Sequence, residues 1–328
     1  MSGHSWMRPV KRTCVAGAGA IGSLFAGHLA DVAVSTVLTR RKDHADRLNE
    51  HGLKISGKTE RHAQILASVD PAALGDVDLV IIATKAGAVE ETVKGMAGHF
   101  PNAMVMTVQN GLGLENIVAR YGNWPIISAV TFMSGNRRSD VHVEYELDTA
   151  TWMGPWAGRP ADYQRIQAVC SLIEESGLKA QVFPDLLPAQ WSKLIFNAAV
   201  NSISAVSDLP HIKAYAAVEH VGDLGRTVRA MMDEGKAIAA AMGIVLYEDP
   251  WEMNLKATSR GRTGSEDYAH APSMLEDVRA HRPTEIDWIT GAIVRAACDV
   301  GMPAPINEAL YRLVKAREAS WKLDNCHH

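Results

Sequence analysis

Short apolar, β-branched runs alternate with stretches of helical period along the first half of the chain. Residues 13–16 and 35–39 (STVLT) read as strands, and so do 103–108 and 125–131. Residues 78–83 (DLVIIA) form a continuous apolar run, the pattern of a parallel strand buried on both faces. Helical spacing covers residues 20–30, 86–99 and 114–121. Strand, helix and strand in series predict a parallel sheet with right-handed crossovers, an α/β doubly wound domain. Residues 52–56 and 62–66, on either side of Gly57, read as a hairpin inserted in that sheet.

The pattern changes in the second half. After Pro184 and Pro188 the β signals fade, and helices are predicted over 190–206, 218–242, 284–300 and 306–321. The boundary therefore falls there, giving a Rossmann-type domain over 1–185 and an all-α domain over 186–328. Residues 257–272 (ATSRGRTGSEDYAHAP) are polar and glycine-containing, either a solvated loop or a mobile segment over a site.

The run Gly17-Ala18-Gly19-Ala20-Ile21-Gly22 fits GxGxxG. Alone the pattern is weak, but here it follows a strand and opens an apolar helix, the context that dinucleotide binding requires. Gly17 permits the tight turn, Gly19 lets the backbone approach a pyrophosphate, and Gly22 lets helix and strand pack closely. The phosphates then meet free N–H groups at the helix N-terminus. The end of the second strand selects the cofactor. An NAD site usually places Asp or Glu there to hold the ribose hydroxyls. This chain has Arg40, followed by Arg41 and Lys42. A guanidinium suits a 2′-phosphate, so the expected cofactor is NADP; the alternative is a solvated basic turn. Lys85 and Asn110 follow two further strands, at the carboxyl ends where open α/β sheets bind ligands. Lys85 could neutralise phosphate or substrate charge, and Asn110 could hydrogen-bond ribose or carboxamide.

Lys193, Asn197 and Asn201 stand at i, i+4 and i+8 in one predicted helix. The three side chains stack on one face. Everything between them (Leu194, Ile195, Phe196, Ala198, Ala199, Val200) is apolar, so the helix is expected to be buried with one polar line. Buried polar groups need partners, and a small polar substrate in an interdomain cleft would supply them; water or a neighbouring carboxylate is the alternative. Glu285, after Pro283 and Thr284, is expected in the first turn of a helix, where the dipole favours a carboxylate. Ser273, before Met274, is a possible helix N-cap.

Composition narrows the function classes. A formal charge of −4 gives nothing to recruit a nucleic-acid backbone. No apolar run reaches the length of a bilayer span, and the polar start lacks an apolar signal region. Cys14, Cys170, Cys298 and Cys326 lie far apart, as reduced thiols of a cytoplasmic protein do. The scattered histidines point to no metal site.

Taken in order, these motifs resemble the ketopantoate reductases. The resemblance rests on GAGAIG from Gly17, TKA from Thr84, Asn110-Gly111, KLIFNAAVN from Lys193, SMLEDVRAHRPTEID from Ser273, and Gly291, nearly the whole chain. It implies NADPH-dependent reduction of a 2-keto acid, 2-dehydropantoate to (R)-pantoate in pantothenate biosynthesis on the coenzyme A pathway. It also implies roles: Lys193 as proton donor, Asn197, Asn201 and Ser273 on the substrate, and Asn110 at nicotinamide and substrate. Glu285 would contact the bound ligands and Arg40 the 2′-phosphate. Two positions depart from the family pattern, His211 and His270, where Asn is frequent. Both belong to the substrate side, so another keto acid stays open. So do a β-hydroxyacid dehydrogenase and a non-catalytic NADPH sensor, although Lys193 with both asparagines argues against the sensor. The expected partner is a small 2-keto acid, with no nucleic acid and no membrane; a homodimer is left open.

Overall fold

The computed structural model describes residues 9–218, 222–259 and 269–324, with side chains to Trp321. The chain divides into two compact units. One comprises residues 1–109 and 114–186, the other 110–113 and 187–328.

The first unit is built on an eight-stranded sheet. Strand β1 (Arg12–Ala16) leads through helix α1 (Ala20–Leu29) to β2 (Val34–Leu38). Helix α2 (Lys42–His51) follows, then β3 (Leu53–Gly57), β4 (Arg61–Ala63), β5 (Leu66–Ser68) and β6 (Leu79–Ile82). After α3 (Val89–Gly95) come β7 (Met104–Thr107), α4 (Leu114–Tyr121) and β8 (Ile126–Thr131). The hairpin β9 (Ser134–Ser139) and β10 (His142–Leu147) precedes β11 (Thr151–Pro155), α5 (Tyr163–Glu175) and β12 (Ala180–Val182). The sheet order is β12-β11-β8-β7-β6-β1-β2-β5. The six strands from β8 to β5 pair in parallel; β11 pairs antiparallel with β8, and β12 runs parallel to β11. All residues of β6 and β7 are buried, as the unbroken apolar runs predict.

Two expectations change here. The predicted hairpin is not inserted in the wound sheet. Strands β3 and β4 pair antiparallel in a separate four-stranded sheet, order β4-β3-β10-β9. Its alternation in β3, with Leu53 and Ile55 buried and Lys54 exposed, is that of a sheet with one wet face. The helix predicted over 86–99 is shorter: a 3-10 turn at Ala86–Ala88, then α3 ending at Gly95. Helix α2 escapes sequence reading because its stripe is narrow, with only His44, Ala45 and Leu48 buried.

The second unit is mainly helical: α6 (Leu187–Ser207), α7 (Asp223–Ala241), α8 (Pro250–Thr258), α9 (Ser273–Arg279), α10 (Thr290–Asp299) and α11 (Pro305–Asp324). It is not purely α: β13 (His211–Ile212) and β14 (Ala269–His270) pair antiparallel. Its core gathers around α6, which packs against α7, α9 and α11. Residues 260–268, most of the polar segment expected as a loop, lie outside the described residues, as do residues 219–221 and Cys326.

The helix predicted over 284–300 begins only at Thr290, with Ile289 at its N-cap. Glu285 is therefore not in a first helical turn. Thr284 is pinned instead: its backbone N–H and its hydroxyl both donate to Glu318 Oε1 at 2.7 Å. The Trp288 carbonyl accepts from the Leu112 N–H at 3.0 Å, an off-helix contact.

Candidate active site

In the first unit the glycine-rich turn lies where the sheet reverses its order of connection, between β1 and β6. Ligands bind at such switch points in open α/β sheets. Gly17 donates its N–H to the Leu38 carbonyl at 2.9 Å and has φ +104°. A Cβ there would lie 2.7 Å from Thr84 Cγ2. At Gly22 a Cβ would come within 1.9 Å of the Gly17 carbonyl oxygen. At Gly19 a Cβ would meet nothing within 4 Å, so this side of the turn is open. The cap at Gly19 has no side-chain acceptor, and no acidic residue stands in the first turn of α1. The leading N–H groups of α1, on Ala20 and Ile21 beside Ala18, form the cradle a pyrophosphate needs.

Arg40, just beyond β2, is exposed and has no ionic partner among the described residues. Its neighbour Arg41 is bound to Asp140 at 2.5 Å. One guanidinium is thus spent on the protein and one is free for a ligand phosphate. The residues present fit a dinucleotide carrying a 2′-phosphate. Lys85 is exposed at the cap of the 3-10 turn after β6. Sequence reasoning passed over Gln109, whose side-chain amide donates to the carbonyls of Ile82 (2.7 Å) and Thr84 (3.1 Å) and so fixes the loop after β6. Such a contact has no local sequence signal.

In the second unit α6 is buried nearly all round. Lys193 and Asn201 are each 6% exposed, and Asn197 is half-buried. Burial draws the Lys193 ammonium down to about 7, with the nearby Glu285 carboxylate opposing part of that fall. Glu285 is itself buried. Asn197 Nδ2 donates to Asn110 Oδ1 at 3.3 Å, so Asn110 belongs with the helical unit although it lies only three residues beyond the end of β7. The Asn201 side chain makes no hydrogen bond among the described residues. A buried amide in that state is a vacant donor–acceptor pair. Ser273 is the first residue of α9 and Pro272 the N-cap, which corrects the expected capping role. Its half-buried hydroxyl has no partner among the described residues.

Sequence reasoning also missed what holds this constellation. Ser202 bonds Thr290 (2.7 Å), and Ser204 bonds Tyr215 (2.8 Å). Asp287 receives Tyr311 at 2.7 Å and Lys315 at 2.9 Å, which anchors the Glu285 turn on α11. His211 is buried, and Asn254 Oδ1 lies 2.8 Å from its Nε2. Burial pushes its imidazole down to about 4, against the Asn254 hydrogen bond. His211 and His270 are direct partners across the β13–β14 ladder, so the two departures from the family pattern are neighbours.

A nucleotide-cradling α/β unit and a helical unit bearing a buried lysine–asparagine stripe define the class of pyridine-nucleotide-dependent oxidoreductases. Within it, the chain belongs to the ketopantoate reductase family. The ketopantoate reductase PanE/ApbA family matches residues 13–158, and its C-terminal domain matches 185–318. The chain is 28% identical to a 2-dehydropantoate 2-reductase of Archaeoglobus fulgidus, over 94% of this chain and 99% of that protein. A PanE/ApbA family ketopantoate reductase from Ralstonia eutropha JMP134 has the same fold, with TM-score 0.82 at 23% identity over 94% of this chain and 99% of that one. So does a D-mandelate dehydrogenase solved with NADH and anilino(oxo)acetate, with TM-score 0.81 at 24% identity over 94% and 98%. The family is one of NADPH-dependent oxidoreductases.

Proposed function

We propose that this protein reduces a 2-keto acid to the 2-hydroxy acid with NADPH, and that the acid is 2-dehydropantoate. The observation that carries the reading is Lys193, a buried amine with its pKa drawn to about 7 on the same helix face as Asn197 and Asn201. Bound NADPH would supply the hydride that the ketone carbon takes up. The turn from Gly17 to Gly22 would hold the pyrophosphate and Arg40 the 2′-phosphate, with Lys85 adding positive charge beyond β6. Lys193 Nζ donates the proton that the developing alkoxide requires; an acid titrating near the working pH is matched to that task. Glu285 keeps part of the lysine population protonated through its charge. Asn201 and Ser273 offer hydrogen-bonding groups to the substrate, and Asn197, oriented by Asn110, offers a third. This reading places the enzyme in the cytoplasm.

A second substrate stays in view because of the His211–His270 pair. It puts two imidazoles where the family pattern frequently has amides, which supports a different keto acid with the same chemistry.

The test is NADPH oxidation, followed by absorbance, over a panel of 2-keto acids with and without a 4-hydroxyl. The highest kcat/KM is expected for 2-dehydropantoate. A higher value for another 2-keto acid moves the assignment to that acid. NADPH binding with no turnover on any acid makes the protein a nucleotide sensor.

A further inference from the structure

The small sheet of the first unit carries a feature that the reduction chemistry does not use. Lys54 of β3 is the direct partner of His62 on β4 and of His142 on β10. The three side chains therefore stand on one rung across three adjacent strands. They point to one face, because Lys54 lies between the buried Leu53 and Ile55. Like charges directly opposite on a sheet are destabilising. This rung sets an ammonium between two groups that can each become cationic.

The same residues line an open groove of about 620 Å³, which His51, Glu60, Arg61 and Val141 also line. Of the fixed charges around the rung, Arg61 is paired, whereas Glu60 stays an exposed carboxylate in the lining, held by one backbone N–H. Arg61 is paired with Asp31, and its guanidinium also donates to the Ser176 carbonyl at 3.1 Å. Glu60 accepts the Gly57 N–H at 3.2 Å, and His51 lies 3.6 Å from Glu50. Lys54 has no acidic partner among the described residues. The two rung histidines are oriented from behind: His62 Nε2 lies 2.7 Å from the His51 carbonyl, and His142 Nε2 lies 2.8 Å from Ser56 Oγ. Each thus keeps Nδ1 for a further partner.

We propose that this rung is an anion-binding site, taking the phosphate or carboxylate group of a small metabolite between Lys54, His62 and His142. The ammonium supplies the charge. His142, whose Nε2 can accept the Ser56 hydroxyl, can present an Nδ1–H donor, whereas His62 spends its Nε2–H on the His51 carbonyl and lines the site beside them. Charge-assisted hydrogen bonds of this kind are the stronger class. The site belongs to a sheet separate from the one that ends in the glycine-rich turn, so occupancy adds a second ligand rather than competing for the nucleotide.

The experiment is a titration of inorganic phosphate into the full-length protein saturated with NADPH, which keeps the cofactor's own phosphate site filled. The imidazole proton resonances of His62 and His142 are followed by NMR at constant pH. Both are expected to shift saturably. Lys54→Ala and Lys54→Gln should each weaken the phosphate affinity about five- to tenfold, as the loss of one charge-assisted contact at an exposed site does. Keto-acid turnover in these variants should stay near that of the parent. A linear shift, a shift reproduced by sodium chloride at equal ionic strength, or an affinity indifferent to Lys54 overturns the proposal. These resonances report on the rung alone, so the result is independent of which keto acid the enzyme reduces.

Discussion

The Asn197 side-chain amide donates to the Asn110 side-chain oxygen at 3.3 Å, joining residues 87 apart in sequence. One partner sits in the middle of the polar stripe on α6, and the other lies three residues beyond the end of the buried strand β7. Residues 110–113 thereby belong to the helical unit. A backbone bond seals the same junction, from the Leu112 N–H to the Trp288 carbonyl at 3.0 Å. The stripe is thus held in register with the Glu285 turn three residues before Trp288.

Gly111 is what lets that junction close. Its φ is +103°, and a Cβ would lie 2.4 Å from the Trp288 carbonyl oxygen. Gly111→Ala should therefore lose the Leu112 bond as well as strain the backbone, at a cost of about 2–4 kcal/mol. Urea unfolding measures it. A change within about 0.5 kcal/mol, the range of an ordinary surface substitution, would mean that the junction yields freely.

Lys193→Ala should lower kcat by about 10²–10⁴-fold, the usual share of general acid catalysis. NADPH affinity should be nearly unchanged. In the parent, kcat/KM should fall as pH rises through about 7, where the buried amine loses its proton. That limb should vanish in the variant. Asn201→Ala should act mainly on KM, because an amide orients substrate without supplying a proton. Steady-state kinetics across pH separates the two; a Lys193→Ala kcat within about threefold of the parent, far short of the general-acid range, would make the lysine structural.

The same burial that tunes Lys193 costs stability. Its pKa is about 7 folded against 10.5 for the free side chain. Between those values the unfolded chain binds more protons than the folded one, so this lysine's contribution to stability improves as pH rises through that window. Below it the penalty is at its largest. Lys193→Met, which fills the same space without charge, should raise Tm at about pH 6 by several degrees, a gain of a few kcal/mol at most. The gain should shrink towards about pH 10. Calorimetry at the two pH values checks the sign; a variant less stable at the lower pH would show that Glu285 more than repays the burial.

Arg40→Ala should weaken NADPH by about 1.5–3 kcal/mol, the worth of hydrogen bonds to a charged group, and leave NADH nearly unaffected. Arg41 is held by Asp140 and should not substitute. Fluorescence quenching gives both Kd values. An equal loss for the two nucleotides would move Arg40 away from the 2′-phosphate.

Local pattern determined much of this protein. The apolar runs of β6 and β7, the glycines of the first turn, and the i, i+4, i+8 spacing of Lys193, Asn197 and Asn201 are each legible within a few residues. They follow from backbone sterics and helix periodicity alone. Tertiary structure decided the rest. Residues 53–57 and 61–63 have clear strand character, but nothing local says that β3 pairs with β10 instead of joining the wound sheet. The stretch from Thr284 reads as a helix start, yet Glu318, 34 residues on, captures Thr284, and Leu112 captures the Trp288 carbonyl. Polar side chains such as Thr284 trade local helical bonds for distant partners at small cost, so the outcome depends on what the fold brings alongside. The rung of His62, Lys54 and His142 is of the same kind. Three separated residues become neighbours only through strand register, a long-range property that no local spacing records.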